Sequence, residues 1–104
     1  MSREMLDLQP AHLAAVLNIL AKHAPACDAW AFGSRVNGTA QRFSDLDICL
    51  SSAQPLNFEE KANLRLAFSE SDLPLIVDVV DLGNCSKAFA QQIEAGRVSL
   101  TFAQ

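Results

Sequence analysis

The amino-acid sequence predicts a small α+β (α/β-like) domain in which helices flank a sheet of about four strands, with residues 1–104 as one unit. Three observations predict it. Helical and strand periodicities alternate along the chain. At 104 residues there is enough material for one core and too little for two. No repeat, low-complexity tract or linker composition divides the sequence.

The elements follow in order. Pro10 suits the first turn of a helix, and Leu13, Val16, Leu17 and Leu20 follow the i, i+3, i+4, i+7 rule until Pro25 ends it. Ala29-Trp30-Ala31-Phe32 is an apolar run stopped by Gly33, a strand meeting a turn. Ser34 to Ser44 is polar and reads as a short helical turn plus a loop. Asp45 to Leu50 becomes apolar, as a largely buried strand does. Asn57 followed by Glu60 predicts a capped helix running to about Ser69, with Leu64, Ala67 and Phe68 inside. Pro74 precedes Leu75 to Asp81, whose β-branched density is the strongest strand signal. Ser86 caps a last helix with Phe89 and Ile93 on one face and Gly96 as its stop. Val98 to Phe102 is a final strand. Which strands run parallel is not written in the pattern.

Composition narrows the function classes. Half of the residues are hydrophobic and the formal net charge is −4. The eight basic residues are scattered rather than gathered into the stripe that nucleic-acid binding needs, so direct DNA binding is not expected. Cys27, Cys49 and Cys85 are odd in number, far apart and without a C-x-x-C pair, which argues for reduced thiols; Cys49 reads as core. Arg3, Glu4 and Asp7 stand where a signal peptide would be apolar, and no run approaches the ~18 apolar residues of a membrane span. A soluble, cytoplasmic protein is expected.

The chemistry is concentrated in Gly33-Ser34, then ten residues, then Asp45-Leu46-Asp47. On a strand, residues i and i+2 share a face, so Asp45 and Asp47 present two carboxylates side by side. Like charges at that spacing repel unless a cation intervenes, and two hard oxygen ligands suit magnesium. Gly33 permits a sharp turn, and Ser34 leads a helical turn whose free N–H groups attract phosphate oxygens. Asp78 interrupts Ile76, Val77, Val79 and Val80, where an unpaired buried acid would cost several kcal/mol. Asp81 points to the opposite face of that strand, so Asp78 is the better third ligand. Arg35 and Arg42 flank the turn as candidate triphosphate contacts.

Gly33-Ser34, Asp45-x-Asp47 and the later Asp78 resemble the DNA polymerase beta-type nucleotidyltransferase superfamily. Gly33-Ser34-Arg35-Val36-Asn37-Gly38 with Ser44-Asp45-Leu46-Asp47 is similar, more narrowly, to the minimal nucleotidyltransferases, many of them antitoxins encoded beside a HEPN-type ribonuclease toxin. A Gly-Ser with a correctly spaced Asp-x-Asp would arise by chance in such a chain roughly once in a thousand. The resemblance implies a palm-like fold with a small mixed sheet and a two-metal magnesium mechanism with ATP as substrate. In it Asp45, Asp47 and Asp78 hold the ions, Asp78 serves the acceptor hydroxyl, and Gly33 and Ser34 hold the β- and γ-phosphates. It also implies adenylylation of a protein, the HEPN toxin. This chain has no Tyr, so a tyrosine acceptor must lie in another molecule, and a homo- or hetero-oligomer is compatible with that.

Plainer readings exist for each residue. Asp45 and Asp47 suit a solvated strand start, Asp78 an edge-strand acid or a salt bridge, and the arginines a solvated loop. Two other functions compete with protein adenylylation. One is a binding module that neutralises a toxin by contact alone. The other is transfer onto a small molecule such as an aminoglycoside, which would need an acceptor pocket that no spare residues can build.

Overall fold

A computed structural model describes residues 6–38, 45–53 and 56–101. The elements in chain order are α1 (Pro10–His23), β1 (Asp28–Phe32), α2 (Ser34–Asn37), β2 (Leu46–Ser51), α3 (Phe58–Ser69), β3 (Val77–Asp81), α4 (Lys87–Ala95) and β4 (Val98–Thr101). A 3-10 turn over Leu82–Asn84, not expected from the sequence, joins β3 to α4. The four strands form one mixed sheet in the order β3-β2-β1-β4. β1 runs antiparallel to both β2 and β4, and β2 and β3 are parallel.

Local sequence explains the boundaries. Pro10 occupies the first turn of α1, where its missing N–H costs nothing, and Lys22 and His23 complement the negative end. At α3, the Glu60 N–H donates to Asn57 Oδ1 at 2.7 Å and the Asn57 N–H donates to Glu60 Oε1 at 3.0 Å. This reciprocal cap satisfies two donors the helix cannot satisfy itself, and is worth about 1 kcal/mol. The Ser86 hydroxyl accepts from the Phe89 N–H at 3.1 Å and starts α4.

One face of the sheet carries the core. Ala29, Ala31, Leu46, Ile48, Leu50, Val98 and Leu100 pack against Val16 and Leu20 of α1 and Leu64 and Phe68 of α3. Alternation then assigns Trp30 and Phe32, Asp47 and Cys49, Asp78 and Val80 to the other face. α4 covers part of that second face: Ile93 is buried, and the Phe89 ring meets Phe32 edge-on at 6.2 Å.

Three expectations need adjustment. β3 begins at Val77, and Ile76 is 69% exposed although its carbonyl accepts from the Leu46 N–H. Phe89 was expected on the buried face of its helix with Ile93, yet it is 41% exposed. Asp78 was expected to be buried among branched residues, but β3 is the sheet's edge and Asp78 is exposed. Branched residues there serve the pleat rather than full burial.

Candidate active site

The end of β1, the start of β2 and the start of β3 meet at one point of the second face. Phe32 faces Asp47 across the antiparallel pair, and Asp47 faces Asp78 across the parallel pair. Facing positions on neighbouring strands put side chains on the same side of the sheet, so Asp47 and Asp78 stand next to each other. Asp45, exposed, immediately precedes β2 on the same side as Asp47.

Gly33 locks this arrangement to the turn after β1. Its backbone has φ 82 and ψ −152, a region that glycine alone occupies readily. A Cβ built on Gly33 would collide with Asp47 Oδ2. Two independent constraints, conformational and steric, therefore require glycine. From there Ser34 begins the single turn of α2, with the Val36 N–H donating to the Gly33 carbonyl at 3.0 Å. Gly38, in the left-handed region at φ 82, ends that turn by donating its N–H to the Ser34 carbonyl. A helix this short offers N–H groups that lack helical partners, more than a macrodipole.

The electrostatics of the site are those of crowded acids. Asp47 is half-buried, and burial raises its pKa above the ordinary carboxylate value, with Asp78 and then Asp45 adding to the rise. Among the described residues the ion pairs are Lys61 with Asp81 and Arg97 with Glu94, neither of which includes Asp45, Asp47 or Asp78. The same residues hold no cluster of three His, Cys, Asp or Glu side chains drawn together as a ready-made metal cage.

Other expected site residues are placed differently. Arg35 is buried, and its Nη1 donates to the Asp7 carbonyl at 2.9 Å, while the Asp7 N–H donates to the Arg35 carbonyl at 2.7 Å. That clamp ties the segment before α1 to α2. Arg42 lies outside the described residues. Asp81 accepts from the Gly83 N–H at 2.9 Å and from Asn84 Nδ2 at 3.3 Å, and it pairs with Lys61 Nζ at 3.3 Å. It builds the turn after β3. Cys49 is fully buried, and burial pushes its thiol up to about 11, which makes it an inert core group.

Sequence reasoning overlooked a cleft of about 350 Å³ beside the turn, lined by Phe32, Gly33, Phe89, Gln92, Ile93 and Gly96. Nothing in the sequence distinguishes Phe89 from an ordinary core residue of an amphipathic helix.

The family described as "Polymerase beta, Nucleotidyltransferase" matches residues 15–101, which include the whole Gly33 to Asp78 constellation. The chain belongs to the polymerase beta nucleotidyltransferase family. Within it, the probable protein adenylyltransferase MntA of Haemophilus influenzae is 46% identical over 88 residues, 85% of this chain and 77% of the relative. A crystal structure of a toxin–antitoxin with AMP-PNP contains a chain that superposes with a TM-score of 0.75 at 29% identity, covering 88% of this chain and 74% of that one. A chain in the structure of a tri-AMPylated Shewanella oneidensis HEPN toxin in complex with MNT antitoxin superposes with a TM-score of 0.69 at 24% identity, over 93% of this chain and 75% of that one. That last likeness concerns the fold alone. As a polymerase beta-type nucleotidyltransferase, this domain has the mixed four-stranded sheet of its relatives, and no helix among the described residues is long and apolar enough to cross a membrane.

Proposed function

We propose that this nucleotidyltransferase domain transfers AMP from ATP to a hydroxyl of a partner protein, breaking the α–β phosphoanhydride bond and releasing pyrophosphate, and that the partner is a HEPN-type toxin that it neutralises as antitoxin in the cytoplasm. The observation that carries this reading is the in-register pair Asp47 and Asp78 beside a glycine that only their turn requires. The relatives support the choice of substrate and partner: one is named a probable protein adenylyltransferase, and another is a toxin–antitoxin with an ATP analogue.

The residues divide the work by position. The N–H groups opening α2 and the Ser34 hydroxyl hold the β- and γ-phosphates, and Gly33 lets them come close. Asp45, Asp47 and Asp78 would hold magnesium, which supplies charge neutralisation for the triphosphate and for the acceptor oxygen. The donor chemistry suits it: Asp47 is held against its charge by burial and by its neighbours Asp78 and Asp45, a repulsion that a divalent cation would relieve, although the three carboxylates are not drawn together as a finished cage. Magnesium characteristically takes one or two carboxylates and completes its shell with water and phosphate. Asp78, exposed on the edge strand, meets the acceptor hydroxyl, orients it and takes its proton. The acceptor therefore approaches from the open edge, and no deep pocket is required of a domain this small. Arg35 positions the turn through its clamp on Asp7.

The test is to incubate the purified protein with its partner, labelled ATP and magnesium. Label should appear on the partner and vanish with Asp47→Ala. Full toxin neutralisation by Asp47→Ala would instead mean that contact alone suffices.

A further inference from the structure

Asp78 stands on a margin of the sheet whose backbone is open. Among the described strands, β3 is hydrogen-bonded to β2 alone. In a parallel pair, successive residues turn their N–H and C=O groups alternately toward the neighbour and away from it. Leu46 lies opposite Val77, and the Leu46 N–H donates to the Ile76 carbonyl at 2.8 Å. The peptide groups of Ile76, Asp78 and Val80 therefore face β2, and those of Val77 and Val79 face outward. Arg65 Nη2 donates to the Val79 carbonyl at 3.4 Å from an exposed position on α3. A contact that long gives way readily.

On the helix side of the same margin lies a cleft of about 500 Å³, whose lining includes Phe68 and Ser69 of α3 with Leu75, Ile76 and Val77. Ile76 is 69% exposed. On the turn between Ser69 and Leu73, two more of the lining residues, Glu70 and Asp72 are exposed. Neither belongs to an ion pair among the described residues. A largely apolar cleft with an acidic rim thus adjoins the outward-facing backbone.

We propose that an extended, basic segment of the acceptor protein pairs with β3 as an added strand and so delivers its hydroxyl to Asp78. The inference rests on the transfer reading above and adds to it how the acceptor is held. Strand pairing fixes the delivery. A residue directly opposite Asp78 has its Cβ about 5 Å away on the same face of the sheet, the face of Asp47. Its two neighbours in the segment point to the other face, where an apolar side chain enters the cleft. Backbone bonds supply affinity whatever the sequence, while the cleft and its rim select the segment. Charge decides the occupant. A second copy of β3 would bring its own Asp78 and Asp81 to an edge already acidic, whereas basic residues complement Glu70 and Asp72.

Amide hydrogen exchange reads the pairing directly. The Val77 and Val79 N–H groups should exchange fast in the protein alone and slow on the order of tenfold or more with the acceptor protein bound. Val79→Pro removes an outward donor without touching the bonds to β2. It should raise the acceptor's KM roughly tenfold and leave the Tm gain from magnesium and ATP unchanged. Ser69→Trp fills the cleft from an exposed helix position, leaves β3 intact and should act alike. Asp72→Lys should weaken acceptor binding at low salt, with the difference closing at high salt. Unprotected Val77 and Val79 amides in the acceptor complex overturn the proposal, as does a wild-type acceptor KM in both Val79→Pro and Ser69→Trp. Protection that grows with concentration in the protein alone also overturns it, because a second copy then takes the edge. Amide protection by the acceptor without label transfer sinks the transfer reading and leaves the docking mode standing; normal transfer with unprotected amides does the reverse.

Discussion

The Cα of Gly33 lies against Asp47 Oδ2 so closely that even a methyl group on it would strike the carboxylate. Gly33→Ala therefore adds backbone strain, on the order of 1–3 kcal/mol, to displacement of Asp47. For a domain of this size each kcal/mol lowers Tm by about 4–8 °C. Thermal melts should show a drop of that order, with transfer reduced more than a hundredfold. In an Asp47→Ala background the same substitution should cost less, because the steric part disappears. An equal cost in both backgrounds would mean that the two residues are not coupled.

Asp47 also sets a dependence on pH. Burial first, then Asp78 and Asp45, raise its pKa in the folded chain above that of the unfolded chain. The folded state thus keeps this proton to higher pH, and stability falls as pH rises through the interval between the two values. Above that interval the ionised carboxylate remains a standing cost. Asp47→Asn should melt higher than wild type at pH 7 without magnesium, and the gap should close below the ordinary carboxylate range. The variant should be inactive at every pH.

Magnesium with ATP should reverse that order. A ligand that binds only the folded state at a hundred times its Kd stabilises by about 2.7 kcal/mol. Wild type should gain in Tm on adding both, and chelation should remove the gain. Asp47→Asn should respond little. Equal responses of the two proteins would exclude Asp47 from the ion's shell.

Asp78 and Asp81 should behave oppositely. Asp78 is exposed, so Asp78→Ala should leave Tm nearly unchanged while abolishing transfer. Asp81 caps the turn after β3 and pairs with Lys61, so Asp81→Ala should lower stability by about 1 kcal/mol. Its transfer activity should persist at temperatures where it is folded. Melting curves and label transfer on the same preparations separate the two acids.

Most of the fold was legible because its boundaries are chemical. Pro10, the Asn57–Glu60 pair, Ser86 and Gly96 each act through local backbone groups, and local signals survive in sequence. The order of strands did not, since the pleat repeats alike in parallel and antiparallel pairs. Asp78 illustrates the difference. The sequence singled it out as an acid that burial would penalise, yet its place beside Asp47 comes from strand register at an exposed edge. Arg35 was marked by its nearness to the turn, but a guanidinium can reach back to Asp7, twenty-eight residues away, and only the packed chain reveals it. The cleft beside Phe89 was illegible for a related reason, because Phe32 and Phe89 are brought together by the sheet and α4 rather than by spacing.

The placement of β3 at the margin has a consequence for robustness. Within the described sheet this strand is hydrogen-bonded to one neighbour, whereas β1 and β2 each have two. Peeling it away would separate Asp78 from Asp47 and leave the β2-β1-β4 platform standing. With Asp78 in its proposed role, competence for transfer would follow the local opening energy of one marginal strand, and would be lost, or withheld by whatever grips that strand, well before the molecule as a whole unfolds.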